Sequence, residues 1–581
     1  MSDVKRSVRG YHPLRDQGID PKFICGAFDF ETQGLGGELL CASWYIYGEF
    51  EPHIILGTPE EIVEELIMVF IYHPGVRWYA HNAQYDWRYI VDELLEMYPD
   101  SIEFYMRTES DVFMIKTADF ELVDSFALWP HSLKKFGETF TPELPKLEID
   151  IAHFDVTNPE HLKYAARDSE LLVKAMVRFD EIIYKLFGVH VAYTLAATAI
   201  KAWRAKINRS YYNPENIDTF VRSAYFGGAV QGKFSDKIHE NLKTYDINSS
   251  YPYVMRAYGV PFGNYTNVNY LHKENPGIYR VLVQTPEELV FPILPKRVYT
   301  GALGHIVWPR GRFETTVTNI ELEFALKHGY KLLEVREGII FAETIFPFDD
   351  LVTFCEKTRQ EYKGTPLEQV VKLIQNSVYG KYGTRKERCR IFVPKEDSDY
   401  MGATPWGVND KLWIKKEHDE NILALPQWAV FITAHARIHL LKNIYELGID
   451  NVYYCDTDSI TTSATMKAEY VGNDYGQFKL EKEWDSLRVI APKVYVGSLK
   501  GGQMSGAVKG LPKSKLGQEG YATLFEEGSI SVELSILPSF KTFIKGNVET
   551  KVMERESTNI ENSSSWKMDN GMIKPIKIME A

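Results

Sequence analysis

The stretch NVYYCDTDSITTS at residues 451–463 decides how this chain reads. Apolar, β-branched runs flank its centre, YCDTDS at 454–459. Such runs around a short polar centre predict a hairpin with Asp456, Thr457 and Asp458 at its tip. Carboxylates two residues apart at a tight turn repel one another, and burial raises at least one pKa unless a cation sits between them. No Lys or Arg lies within the stretch. A divalent metal is then the natural partner, and hard oxygen ligands suit Mg²⁺. Standing alone, an Asp-Thr-Asp turn also reads as a polar loop, so the other acids of the chain decide.

A length of 581 residues predicts three or four domains. With 35 tyrosines and 11 tryptophans the chain is rich enough in aromatics for packed cores. A net charge of −13 argues against a uniformly basic nucleic-acid binder. The charge is unevenly spread, however: residues 381–416 carry nine Lys or Arg against five Asp or Glu. The acid excess falls largely in the first 190 residues, where some carboxylates are expected as metal ligands. Cys25, Cys41, Cys355, Cys389 and Cys455 show no CxxC spacing, which predicts free thiols and a reducing, cytoplasmic compartment. No apolar run approaches 18 residues, so no membrane partner is expected. Residues 1–20 are polar and glycine-containing and read as a mobile arm.

Three acidic elements precede residue 190. In FICGAFDFETQG at 23–34, an apolar strand carries Asp29 and Glu31 on one face. In RWYAHNAQYDWRYI at 77–90, a short strand ends in His81 and Asn82, and Asp86 opens a helix. In HLKYAARDSELLVKAM at 161–176, Tyr164 and Asp168 share a helix face. Each acid alone reads as solvent-facing. Together Asp29, Glu31, Asp86 and Asp168 could hold two metals about 4 Å apart, which clamps both oxygens in phosphodiester hydrolysis. Tyr164 could orient the attacking water.

Further acids and cations follow. In SAYFGGAV at 223–230, Gly227 and Gly228 permit close approach of backbone to another chain, although standing alone they read as a turn. TYDINSSYPYVM at 244–255 is a strand ending in Asp246, then a turn into a helix at Tyr251. VKLIQNSVYGKYG at 371–383 is a helix with Lys372, Asn376 and Tyr379 on one face and Val371, Ile374 and Val378 on the packing face. Upstream, Arg359 and Lys363 are spaced i,i+4. These cations suit triphosphate oxygens, Arg as a fork and Lys as a point charge. APKVYV at 491–496 sets Lys493 and Tyr495 on one face of a strand, and Lys509 sits in a glycine-flanked loop.

The order DxE, NxxxD, YxxxD resembles the 3′–5′ exonuclease domain of proofreading DNA polymerases. The later series YxGG, DxxSxYP, KxxxNxxYG, DTD and KxY occurs in the order of family B DNA polymerases, over about 80% of the residues, Asp29 to Tyr495. The chain resembles that family. The resemblance implies an α/β and α+β multidomain fold, a ribonuclease H-like exonuclease followed by a right-hand polymerase with palm, fingers and thumb. It implies two Mg²⁺ per site, with Mn²⁺ able to substitute. Asp246, Asp458 and the Ile247 carbonyl would be polymerase metal ligands, with Asp456 assisting. Thr32, Asn82, Tyr85, Ser132, Leu133, Tyr225, Gly227, Gly228, Lys493, Tyr495 and Lys509 would contact DNA. Lys146 would be the nuclease-site lysine. Tyr251 would lie under the nucleotide sugar, and Ser250 departs from the family's usual Leu.

The spacings from Asp246 to Lys372 and from Lys372 to Asp456 suggest two insertions. That resembles the protein-primed branch of phages and linear plasmids. The expected segments are an exonuclease at 21–188, palm at 189–256 and 427–505, and insertions at 257–350 and 384–426. Fingers are expected at 351–383 and a thumb and tail at 506–581. The 384–426 segment reads as a basic ribbon that closes over product DNA. Primer-template DNA, dNTPs, a priming terminal protein and a single-strand-binding protein are the expected partners of a monomer. A conventionally primed or primer-independent polymerase remains open. So does a different class, a DNA-binding scaffold without catalysis.

Overall fold

A computed structural model describes residues 24–99, 101–108, 111–205, 217–272, 274–300, 303–394, 396–406, 412–418, 422–536, 551–557, 565–569 and 572–580. The expected arm at 1–20 lies outside them.

The N-terminal region is built on a ten-stranded sheet. Its centre is parallel: strand Cys25–Thr32 lies beside Arg77–Ala80, which lies beside Glu121–Asp124. Period-2 alternation divides the first strand. Phe28 and Phe30 join one core with the helices Pro59–Tyr72 and Trp87–Met97. Cys25 and Ala27 join the other, against the long helix Pro159–Phe187. Asp29 and Glu31 continue the second face, so they meet the helix that carries Asp168.

The segment expected as a basic ribbon is strand-forming. Glu387–Phe392 pairs with Trp413–His418, which pairs with Ala403–Pro405. The ribbon also extends the N-terminal sheet, because Arg390 and Ile391 pair with Tyr105 and Phe104.

A seven-stranded antiparallel sheet forms the second half. Ile238–Ile247 is central, between Phe478–Ala491 and Ser459–Thr462. Val452–Asp456 and Val230–Gly232 complete one side. The helix Pro426–Leu447 supplies Leu440, Leu441 and Ile444 to the core beside this sheet. The helices Asp349–Glu361 and Pro366–Tyr382 form an adjacent pair over the segment read as fingers.

Strands Val260–Val268, Lys331–Ile345, Gly277–Gln284 and Arg310–Thr318 form a further antiparallel sheet, and Arg310–Thr318 also pairs in parallel with the strand Lys577–Met579. Strands of the segment expected as an insertion and the strand Lys577–Met579 therefore belong to one sheet. Among the described residues no helix is long and apolar enough to cross a membrane.

Candidate active sites

The sheet and the long helix bring three acids together. Ligand oxygens of Asp29, Glu31 and Asp168 lie within 4.8 Å of one another. Asp86, which immediately precedes the helix Trp87–Met97, is buried close by and accepts from the Phe30 amide at 3.2 Å. It stands outside the group of three but acts on it: burial first, then Asp86, raises the Asp29 pKa well above the ordinary range. Burial, with Asp168, pushes Glu31 to about 8, and burial pushes Asp86 to about 7. Lys146 contacts Asp168 Oδ2 and lies 5.2 Å from the Tyr164 ring centre. Asp168 Oδ1 is buried without a hydrogen-bond partner. Crowded acids with raised pKa values and an unpartnered carboxylate oxygen fit a bound cation.

The surrounding expectations fall out differently. Thr32 Oγ1 and the Tyr85 hydroxyl bond each other at 2.5 Å, beside this cluster. Ser132 caps the helix Leu133–Phe140 by accepting from the Lys135 amide, and Leu133 is packed inward. Asn82 adopts φ 62° and donates its amide to Asp124 Oδ1. Asp124 was not foreseen. It is buried and also accepts from the Ala83 and Phe126 amides, so it shapes the loop that leads to Asp86. Its signal was an acid ending an apolar strand in FELVDSF.

The second site is the hairpin tip. Val452–Asp456 turns into Ser459–Thr462, and Asp456 faces Ser459. Thr457 has φ 60°, and the Asp458 amide donates to the Asp456 carbonyl at 2.6 Å, the hydrogen bond of a γ-turn. Ser459 in turn pairs with Asp246, and the Ile247 amide donates to the Asp458 carbonyl at 2.7 Å. Asp246 and Asp456 therefore stand on the two strands that flank Ser459–Thr462, and Asp458 lies in the turn between Asp456 and Ser459. Burial, then Asp458, pushes Asp246 to about 7; burial, then Asp456, pushes Asp458 to about 6. That acid pair also fits a cation.

Two expectations from spacing are corrected here. Lys493 does not share a strand face with Tyr495. It occupies a turn at φ 64°, and the strand begins at Val494. The turn directs its Nζ to Asp456, 3.1 Å from Oδ2. The fold thus supplies the cation that the local sequence lacks. Lys363 does not extend a helical i,i+4 pair with Arg359, because the helix stops at Glu361 and Gly364 at φ 79° leads into the next. Lys363 is exposed.

Arg359 reaches the turn that follows Asp246. It donates to Ser249 Oγ at 2.7 Å and to the Tyr475 hydroxyl at 3.1 Å. Lys372 and Asn376 are exposed on the second helix, and Lys372 is near enough to Asp246 to lower its pKa. Tyr251 and Tyr379 stack with centroids 4.2 Å apart at 14°. Ser250, next to Tyr251 in the chain, is buried with its hydroxyl unpartnered. Gly228 sits against the hairpin tip: a Cβ there would lie 2.5 Å from Thr457 Oγ1. Tyr225 packs on Gly383, where a Cβ would lie 2.7 Å from its ring. Tyr495 is half-buried against Tyr454 and Trp484, and Lys509 is exposed.

The described residues thus carry two acid-lined sites, one between a sheet face and a long helix and one at a hairpin tip. The family described as DNA polymerase type B, organellar and viral, matches residues 154–475. The chain belongs to that family. It is 28% identical over 370 residues to the probable DNA polymerase of Neurospora intermedia, covering 58% of this chain and 38% of that one. It is 23% identical over 466 residues to the DNA polymerase of Bacillus phage Nf, covering 75% and 76%. The chain spans less than half the length of the first curated relatives it matches. Its fold is that of Phi29 DNA polymerase complexed with primer-template DNA and incoming nucleotides, at TM-score 0.72 and 18% identity, covering 92% of this chain and all of that one. The expected exonuclease-plus-right-hand fold is borne out.

Proposed function

We propose that this chain is a DNA-directed DNA polymerase with 3′–5′ exonuclease activity. The observation that carries the reading is the meeting of Asp246 and the Asp456–Asp458 turn in one sheet, remote in sequence from a second acid cluster. Asp246 and Asp458 hold the polymerase metals, with Asp456 assisting and the Ile247 carbonyl as a further ligand. When bound, two divalent ions supply activation of the primer 3′-OH and neutralisation of the leaving pyrophosphate. Arg359, Lys363, Lys372 and Asn376 meet the triphosphate of a dNTP. Tyr251, braced by Tyr379, fills the space where a 2′-hydroxyl would lie. Tyr225, Gly227, Gly228, Lys493, Tyr495 and Lys509 hold primer-template DNA.

In editing, Asp29, Glu31, Asp86 and Asp168 hold the nuclease metals, Lys146 balances Asp168, and Tyr164 orients the water. Thr32, Asn82, Tyr85 and Ser132 contact the frayed primer end, and Leu133, packed inward, supports the start of the helix behind Ser132.

Protein priming is the finer reading. The segment 257–350 faces a terminal protein, and the ribbon at 384–426 closes over product DNA, giving processive, strand-displacing synthesis. Extension of a labelled primed template with Mg²⁺ and dNTPs tests the activity, and omission of dNTPs tests degradation. A purified protein that does neither overturns the proposal. Transfer of a labelled dNMP to a protein hydroxyl tests the priming reading separately.

A further inference from the structure

Tyr475 ties the helices Asp349–Glu361 and Pro366–Tyr382 to the turn after Asp246. It is buried, and its loop is stapled to that turn. The Gly476 amide donates to the Asn248 carbonyl at 2.8 Å, and the Asn248 amide donates to the Gln477 carbonyl at 2.9 Å. Gly476 has φ 84°, and a Cβ on it would lie 2.4 Å from the Tyr253 ring, so only glycine lets the loop lie this close. The Tyr475 hydroxyl accepts from Arg359 Nη1, on the first helix, at 3.1 Å. It donates to Gln375 Oε1, on the second helix, at 2.9 Å. The Tyr475 amide donates to Glu356 Oε1 at 3.4 Å, and Glu356 pairs with Arg256 of the helix Ser250–Ala257.

Arg359 is thereby held without a directly bonded carboxylate. Its Nη1 meets two hydroxyls, those of Ser249 and Tyr475. Its ion-pair partner Glu368 stands 3.7 Å from Nη2, beyond hydrogen-bond range. Its Nε is buried with no hydrogen-bond partner. The Tyr475 ring lies alongside, its centre 5.5 Å from Cζ, within cation–π range. A guanidinium fixed by neutral hydroxyls keeps its charge for an incoming anion. The cost of ordering a long side chain is also met before that anion arrives. Gln375 is fully buried, and its Nε2 has no hydrogen-bond partner. Its side chain is placed to accept from Tyr475 rather than to serve the helix.

We infer that Tyr475 is a positioning residue: with Gln375 behind it, it holds Arg359 in place for the triphosphate of the incoming nucleotide, and so sets dNTP affinity. This rests on the reading above in which Arg359 meets that triphosphate.

The test is single-turnover incorporation on a primed template across dNTP concentrations, which separates apparent dNTP affinity from maximal rate. Tyr475→Phe keeps the ring and removes the hydroxyl. Its apparent dNTP affinity should weaken about tenfold, as for loss of one hydrogen bond to a charged group. The maximal rate and the hydrolysis of a free single strand should stay near wild type. The same variant leaves Gln375 Oε1 buried and unpaired, which lowers the melting temperature. Adding Gln375→Met removes both partners and should restore much of that stability, so the double variant serves if Tyr475→Phe folds poorly. Affinity for dNTP should stay weak in the double variant, because Arg359 still lacks its acceptor. Recovery of affinity together with melting temperature would show a merely structural role and overturn the inference. So would wild-type affinity in a folded Tyr475→Phe protein. Arg359→Met tests the reading beneath: it should weaken dNTP affinity more than Tyr475→Phe does, and adding Tyr475→Phe to it should cost little further. An Arg359→Met protein with wild-type dNTP affinity would overturn the role of Arg359 at the triphosphate, and this inference with it.

Discussion

Asp29, Glu31 and Asp168 crowd within 4.8 Å of one another, whereas Asp246, Asp456 and Asp458 do not form such a group. The difference follows from where each set sits. The first lies between a sheet face and a 29-residue helix, whose packing forces the acids together. The second lies at a hairpin tip, where Asp456 turns to Lys493. One cluster is compressed by the core with the shielded Lys146 at Asp168, and in the other Asp456 turns to the exposed Lys493 of a neighbouring turn. The two sites should therefore respond differently to loss of a ligand, to metal and to pH.

The largest effect expected is from Asp458→Ala. Loss of a metal-holding carboxylate should lower nucleotide incorporation by about a thousandfold or more, since metal stabilisation is worth several kcal/mol. Hydrolysis of single strands should remain within a few-fold of wild type. Equal loss of both activities in a folded variant would dissolve the distinction between the sites.

Within the nuclease site the geometry ranks the ligands. Asp29→Ala removes a member of the tight group, and Asp86→Ala removes an acid that stands beside it. Single-strand hydrolysis should fall further for Asp29→Ala than for Asp86→Ala, and furthest for the double variant, while matched primers are still extended. Quenched-flow rates at saturating metal give the order; a reversed ranking would place Asp86 at the centre instead.

Metal and pH sharpen the comparison in stability. Glu31 at about 8 and Asp86 at about 7 lie above their unfolded values near 4. A carboxylate with a raised folded pKa holds its proton longer in the native state. Without metal, stability should fall as pH rises from about 4 to 8, because the unfolded chain gives up these protons while the native state still holds them. Adding Mg²⁺ or Mn²⁺ should raise the melting temperature more at pH 8 than at pH 6. The Asp29→Ala, Asp86→Ala protein should lose most of that gain, and Asp458→Ala little of it. A metal response that survives in the double variant would locate the stabilising cation elsewhere.

Much of this was legible in the sequence because the decisive acids sit on regular elements. Strand alternation put Asp29 and Glu31 on one face, helical spacing joined Tyr164 to Asp168, and β-branched flanks marked the hairpin. What was missed depends on tertiary placement. Asp124 reads as the last residue of a strand until its carboxylate is seen gathering three amides. Arg437 is one cation in an apolar helix, and nothing local shows that Glu321 lies opposite. Lys493 seemed to share a strand face with Tyr495, because period 2 cannot reveal that its backbone turns left-handed there.

The smallest effect separates the two lysines. Lys146 serves Asp168 with 22% of its side chain exposed, and Lys493 serves Asp456 with 51% exposed. A shielded pair resists screening, while an exposed one weakens as salt rises. Lys146→Met should therefore lower single-strand hydrolysis at every salt concentration, on the order of tenfold to a hundredfold, as expected when a buried charge loses its partner. Lys493→Met should change incorporation by only a few-fold at low salt, and its deficit should shrink further as salt rises because the wild-type contact is then screened as well. Single-turnover incorporation on preformed primer-template, followed across a salt series, separates this from weakened DNA binding. A Lys493→Met deficit as large and as salt-independent as that of Lys146→Met would mean that the hairpin aspartates, too, are held by a shielded charge, and that the two sites are more alike than their exposure indicates.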